Sequence, residues 1–430
     1  MHRRHVLQLL ATGAVGSCLS PAFARSLTGA ASGLSAADEA FLDDMQRRAC
    51  LFFVEQAGEK TGQVLDRAAA RNNTGDRDGQ RISSIAATGF GLTALCIADK
   101  RGYQPQPALL DQVKRTLQFH CDTLPHEHGF FYHFNDIVTM EPWNNVEVSS
   151  IDTSLLLCGV LTARAYFHHD PDVVRWATTI YERVDWPWML NGGKTFSMGW
   201  HRNQGFIDAR WNHYCELMMI YLLALGSSTH PVDPACWNAW ERPVIHYDGM
   251  EYISGNDPLF THQYSHAWFD FRGKRDQFAN YFDNSITATR AHEAFCLSLG
   301  APYSPDYWGI SASDSQHGYT AWGGPPRLGR LDGSVVPYAT AGSLPFLPTD
   351  CLRVLRSLKE KYGDRAWGRY GFCDAFHPDA NWYDPDVLGI DQGIGLLMAE
   401  NLRSGFVWET FARNSEVGAA MRKAGFHSAA

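Results

Sequence analysis

The sequence is short of positive charge. Lys and Arg number 37 against 46 Asp and Glu, a formal net charge of −9 over 430 residues. Binding a phosphate backbone requires a basic face, so nucleic acid is a poor partner. No pair of cysteines has CxxC spacing. His126-Glu127-His128 and His292-Glu293 also lack the HExxH interval that places two imidazoles on one helix face. No metal is therefore expected. A GxSxG elbow, a Walker loop and a strand–Gly-rich loop–helix unit are missing too, which argues against serine hydrolases, P-loop NTPases and a dinucleotide; no cofactor is expected. Beyond the first residues, no apolar run is long enough to span a bilayer.

What is present begins with an export signature. MHRRHVLQLLATGAVGSCLSPAFA combines the twin arginines Arg3 and Arg4, an apolar run and a small-x-small site at Ala22-Phe23-Ala24. Residues 1–24 read as a Tat-type signal peptide and 25–430 as one domain, exported and periplasmic. A lipoprotein tether through Cys18 is the minority alternative. Removing Cys18 from the ten cysteines leaves an odd number. Cys96, Cys158, Cys215 and Cys296 fall in apolar helical runs, where a thiol acts as a small hydrophobe.

Helical periodicity recurs over residues 38–57, 83–101, 107–123, 150–167, 172–185, 211–226, 234–246, 283–300, 350–362 and 391–412. Glycine-bearing aromatic stretches at Gly129, Gly193, Gly249 and Gly318 separate these helices at intervals of 64, 56 and 69 residues. Helix pairs followed by a hairpin or loop, repeated around a ring, predict an all-α toroid, with short β-hairpins and long loops around a cleft. Asn191-Gly192-Gly193 is a turn signal ahead of the alternating TFSMGWH strand. Residues 302–348 are the least regular and read as an ordered functional loop.

The 14 Trp, 17 Tyr and 24 Phe serve a core first, but flat rings also suit sugar faces. Among the acids, Asp152 reads as a helix-capping partner of Ser149. Glu147 precedes that cap in a loop with Trp143 and is free to face a cleft. Asp391 reads either as an N-cap or as a site residue beside glycines 389, 393 and 395. Asp270 and Arg272 lie in a mixed-charge cluster that suits either a salt-bridge network or a substrate clamp. Glu216, in RWNHYCELMMIYLLALG, has the weakest structural explanation. It lies in an apolar helical run, where burial would hold a carboxylic acid protonated. Paired acids in an aromatic setting, with neither metal nor phosphate loop, point to glycoside hydrolysis. A toroidal polysaccharide lyase using His262, Tyr264 or His266 and a non-catalytic glycan-binding protein are the alternatives.

Several long stretches carry a resemblance in the same order: SSIAATGFGLTAL, NVEVSSIDTSLLLCG, HQYSHAWFDFRGKRD, WGISASDSQHGYTAWGGPP, DGSVVPYATAGSLPFLP and NWYDPDVLGIDQGIGLLMAENLRSG. They resemble the bacterial glycoamylase-like domain family, related to glycoside hydrolase family 144, the endo-β-1,2-glucanases, and its sister families. The resemblance implies an (α/α)6 barrel and inverting hydrolysis of a β-glucan, most simply β-1,2-glucan or its oligosaccharides, by two acids without a metal. By position, Glu216 matches the general acid, Asp391 the candidate base, and Glu147 another essential carboxylate. One departure is Asn144, read as standing in for an acid of the relatives. Trp143, Trp200, Trp268, Trp308, Trp322 and Trp382 are candidate sugar platforms, and Arg272 a hydroxyl ligand. The expected partner is an oligosaccharide or polysaccharide, and the protein is expected to be a monomer.

Overall fold

Two kinds of helix alternate along the chain, and burial separates them. The computed structural model describes residues 33–71, 81–255, 258–322, 324–325 and 331–429; residues 1–24 and Cys18 lie outside the described residues. Helices with one apolar face are α1 (Ala36–Glu55), α3 (Gln106–Asp122), α5 (Pro171–Glu182), α9 (Tyr281–Ser298) and α11 (Pro348–Ala366). Between them run helices buried nearly all round: α2 (Ile85–Arg101), α4 (Ser150–Tyr166), α7 (Met218–Gly226), α8 (Tyr264–Trp268), α10 (Pro337–Ala341) and α12 (Gly389–Ser404). The short α6 (Trp186–Leu190) follows α5, and α13 (Phe406–Phe411) and α14 (Ser415–Lys423) close the chain. The molecule is all-α apart from short two- and three-stranded β-elements.

A helix surrounded by other helices needs apolar residues on every face, and α2 supplies them: every residue from Ile85 to Ala98 is buried. α2 and α4 touch backbone to backbone. A Cβ on Gly159 would sit 2.0 Å from the Gly89 carbonyl oxygen, and one on Gly89 2.3 Å from that of Leu155. α12 packs in turn on α2, so the last long inner helix meets the first. One continuous cluster of buried apolar side chains runs from Phe41 to Ala424.

Short strands deliver the chain to the inner helices. Ile82–Ser84 pairs with Phe134–Asp136, Val148–Ser149 with Gly199–His201, and Asp386–Leu388 with Arg67–Ala69. Each of the three leads directly into α2, α4 or α12. Ser84 caps α2 by accepting from the Ala87 amide, and Ser149 caps α4 by accepting from that of Asp152.

Three expectations are corrected. Residues 211–217 are not helical: α7 starts at Met218, because Arg210–Trp211 is instead held as a strand against Phe196–Ser197. Of the helix expected at 234–246, only a 3-10 turn at Pro234–Cys236 forms, and Val244–Tyr247 is a hairpin strand with Met250–Ile253. The run 391–412 divides at Gly405, whose φ of 69° ends α12. The nine described cysteines are free, and all but Cys121 are buried. No described helix is long and apolar enough to cross a membrane.

Candidate active site

The starts of the inner helices converge. A cavity of about 420 Å³ is lined by Ser84 before α2, Ile151 and Asp152 in the first turn of α4, Glu216 before α7, Tyr264 at the start of α8, and Leu388 and Ile390 at the start of α12. Asp66, Arg67, His133, Phe134, Leu155, Phe260 and Tyr319 complete the wall. Because helix N-termini carry partial positive charge, several of them aimed at one space favour anionic groups there. A larger groove of about 780 Å³ runs along α11. Its cations are already spoken for, Arg353 by Glu293 and Asp350 and Arg356 by Asp38, so the chemistry is assigned to the smaller, acid-lined cavity.

Glu216 stands on the turn just before α7, half-buried in the cavity wall. Ser265 Oγ donates to its backbone carbonyl at 2.7 Å and accepts from the Met219 amide at 3.1 Å, which ties this turn to α8. Asp391 is not an N-cap: that position is Leu388, and Asp391 lies in the first turn of α12. It is 5% exposed, beneath the wall that Ile390 forms. Burial pushes its carboxyl up to about 7; a hydrogen bond with Asp374 pulls it down, and the charges of Asp314 and Asp66 push it further up. Asp374 is fully buried and raised well above the usual carboxylate range, by burial first and then by Asp391. Asp384 is pushed up to about 9 by burial and by Asp374. Arg67 supplies positive charge here, pairing with Asp66 at 3.1 Å and Asp314 at 2.7 Å.

Across the cavity, His133 lies between two acids. Its Nδ1 is 2.9 Å from Glu147 Oε1 and its Nε2 is 3.4 Å from Asp152 Oδ1. Burial favours the neutral ring, but Asp152 and Glu147 outweigh it and raise the imidazole to about 8. Burial opposes ionisation of Glu147, yet the His133 hydrogen bond leaves its carboxyl below the usual range. Glu147 is thus one layer behind the wall, while Asp152, read from sequence as a cap partner, both receives the Ser149 hydroxyl at 2.5 Å and lines the cavity. Asn144 adopts φ 51°, a left-handed conformation that asparagine tolerates well, so local backbone geometry also accounts for its identity.

Residues 208–415 match the family model described as Glycoamylase, putative glucoamylase. That match takes in just under half of the chain. A curated relative, the exo β-1,2-glucooligosaccharide sophorohydrolase (non-reducing end) of Parabacteroides distasonis, is 26% identical over 431 residues, covering 90% of this chain and 58% of that protein. The chain thus spans under two thirds of that relative. Among solved structures, the endo-β-1,2-glucanase of Chitinophaga pinensis, in complex with sophorotriose and glucose, superposes with a TM-score of 0.85 at 25% identity, covering 92% of this chain and 99% of that one. A putative glucoamylase from Bacteroides uniformis gives 0.84 at 27% identity, with coverages of 92% and 99%.

None of the tryptophans singled out from sequence lines this cavity. Trp268 and Trp308 are buried in the core, the former against Phe90 with its indole N–H on Thr93 Oγ1 at 3.0 Å. Trp322 is buried and donates to Ser313. Trp143, Trp200 and Trp382 are half-buried; Trp200 pairs with Val148, next to Glu147, in a cluster with Trp188. Asp270 and Arg272 form a bidentate pair stacked on Trp408, a structural network outside the cavity wall. The aromatics that do line the cavity are Phe134, Phe260, Tyr264 and Tyr319. Sequence reading missed Asp66, Arg67, His133, Asp374 and Tyr319; they come from four separate stretches of the chain, and no local pattern links them. His262 and His266 are buried and pushed down to about 3 by burial, so both rings are neutral, bonded to Tyr214 and Ser285.

Proposed function

We propose that this chain is a glycoside hydrolase acting on β-1,2-linked glucan or its oligosaccharides, inverting, with Glu216 as general acid and Asp391 as general base. The observation that carries the reading is an aromatic-lined cavity with Glu216 in its wall and the buried Asp391 next to the wall residue Ile390, in a fold shared with β-1,2-glucan hydrolases. Glu216 faces the cavity and delivers a proton to the glycosidic oxygen. Asp391, raised by burial, accepts a proton from the attacking water, through a second water or a sugar hydroxyl where the Ile390 wall intervenes. Glu147 and Asp152 hold His133 in its charged form, which offsets the acids of the cavity wall, and the half-buried Trp143, Trp200 and Trp382 extend the apolar surface beyond the cavity.

The packing of α12 on α2 supports an (α/α)6 barrel closed by α2, α4, α7, α8, α10 and α12, forming a single catalytic domain that acts as an exported, periplasmic monomer. A lyase would need a cation for a uronate. The cavity's Arg67 and His133 are each held between two carboxylates, which disfavours that substrate.

Incubation with a panel of β-1,2-, β-1,3-, β-1,4- and β-1,6-glucans, followed by product chromatography, tests the reading; only β-1,2 substrates should yield products. Glu216→Gln should lower kcat by about 10³-fold or more while leaving sugar binding and the melting temperature nearly unchanged. Full activity in that variant would remove Glu216 from the mechanism.

A further inference from the structure

Asp374 has no place in the two-acid scheme, yet it touches the proposed base. It follows the strand Gly371–Phe372 and is 0% exposed. One oxygen, Oδ2, accepts the Asp314 amide at 2.7 Å. Its Oδ1 and Asp391 Oδ2 are both buried, and neither receives an N–H or hydroxyl from a described residue. The two carboxyls lie within hydrogen-bonding reach of each other. Two carboxylates have no proton to share, so one of them must be a carboxylic acid. We propose that Asp374 is that acid: a permanently protonated positioning residue that donates to Asp391, keeps it ionised and fixes the direction of its free lone pairs. This rests on the reading of Asp391 as the base.

The surroundings assign the proton to Asp374. Of the two, Asp374 lies deeper, with Asp384 on its far side. Asp391 is nearer the charge of Arg67 and lies in the first turn of α12, where the helix dipole favours an anion. Asp66 and Asp314 also face the pair, as do the phenols of Tyr264, Tyr319 and Tyr338. Oxygens of Asp314, Asp384 and Asp386 lie within 4.8 Å of one another, a spacing that a divalent cation could bridge. Arg67 is bonded to Asp314, however, and a second cation there would meet its charge. A proton neutralises the buried acids without that repulsion.

Asparagine reproduces a protonated aspartate: Asp374→Asn keeps one acceptor for the Asp314 amide and offers an N–H to Asp391. The expected result is that D374N retains kcat within about tenfold, and the acid limb of its kcat/KM profile stays within about half a unit of the wild-type value. Asp374→Ala, lacking the donor, should raise that limb by about one unit or more. If D374A does not fold, D374N still decides: a fall of its limb by a unit or more would mean that Asp374 is ionised in the wild type and overturn the proposal. Independently of turnover, an infrared difference spectrum of wild type against D374N at pH 8 should contain a protonated-carboxyl band, and its absence also overturns the proposal. So would loss of activity on chelation, since a cation would then hold the charge. Wild-type inactivity on every β-glucan would instead count against the hydrolase reading, while the infrared band reports on the proton alone.

Discussion

At the scale of single residues, the candidate site stores charge in unfavourable places, and the sign of each shift fixes a pH dependence. Asp391 is raised to about 7 by burial, so between its unfolded value near 3.8 and 7 the folded state binds more protons than the unfolded one. Stability from this group therefore falls as pH rises through that window. Asp391→Asn removes the cost. The variant should melt about 1–5 °C above wild type at pH 8 and show little difference at pH 4, in calorimetry, while losing about 10³-fold or more in kcat. His133 is likewise raised, here by Asp152 and Glu147 to about 8. As a base with a raised pKa, its contribution is fully present below about 6.5 and is lost as pH rises through 8. His133→Ala should then lose on the order of 2 kcal/mol more at pH 6 than at pH 9 in urea titrations. Glu216 was legible in the sequence because it is an acid in an apolar run. Asp374 and His133 were not, since a lone Asp in GFCDAF and a lone His in FFYHF differ in no local way from surface residues.

At the scale of elements, the inner helices were legible because residues buried on every side leave continuous apolar runs, as in α2 and α4. What periodicity could not supply was where a helix begins. The run around Glu216 is apolar enough to be helical throughout, yet the pairing of Arg210–Trp211 with Phe196–Ser197 keeps its first half extended. That tertiary contact places Glu216 on a turn, where its side chain enters the cavity. Trp268, Trp308 and Trp322 failed as sugar platforms for a related reason: composition counts rings but does not say which are core, and these three are buried in the interior. Close approach of α2 and α4 depends on two glycines. Gly89→Ala would put a methyl 2.3 Å from the backbone carbonyl of Leu155, which no rotamer change relieves. The helices must separate, at a cost of about 2–4 kcal/mol. Chemical denaturation should register that loss, and because Asp152 moves with α4, activity should fall as well.

For the whole molecule, the proposed mechanism asks one fold to bring an acid on the turn before α7 and a base on α12, 175 residues apart in sequence, to opposite sides of a single bond. The proposed (α/α)6 barrel would achieve this, because in a closed ring every inner helix starts at the same end of the molecule. The sequence shows the order of helices but not this closure. The architecture also constrains stereochemistry. Glu216 lines the cavity, whereas Asp391, next to the wall residue Ile390, is 5% exposed with its Oδ2 buried. A retaining enzyme needs its second carboxyl about 5 Å from the first and in contact with the sugar; a base set back from the sugar, as proposed for Asp391, leaves space for water instead. The first product formed from a β-1,2-linked substrate should therefore be the α-anomer. Proton NMR of the reaction in its first minutes, before mutarotation, should show the α-anomeric signal rising ahead of the β-signal. Initial release of the β-anomer would require a covalent intermediate on a residue at the wall, and would transfer the second role from Asp391 to Asp66 or Asp152.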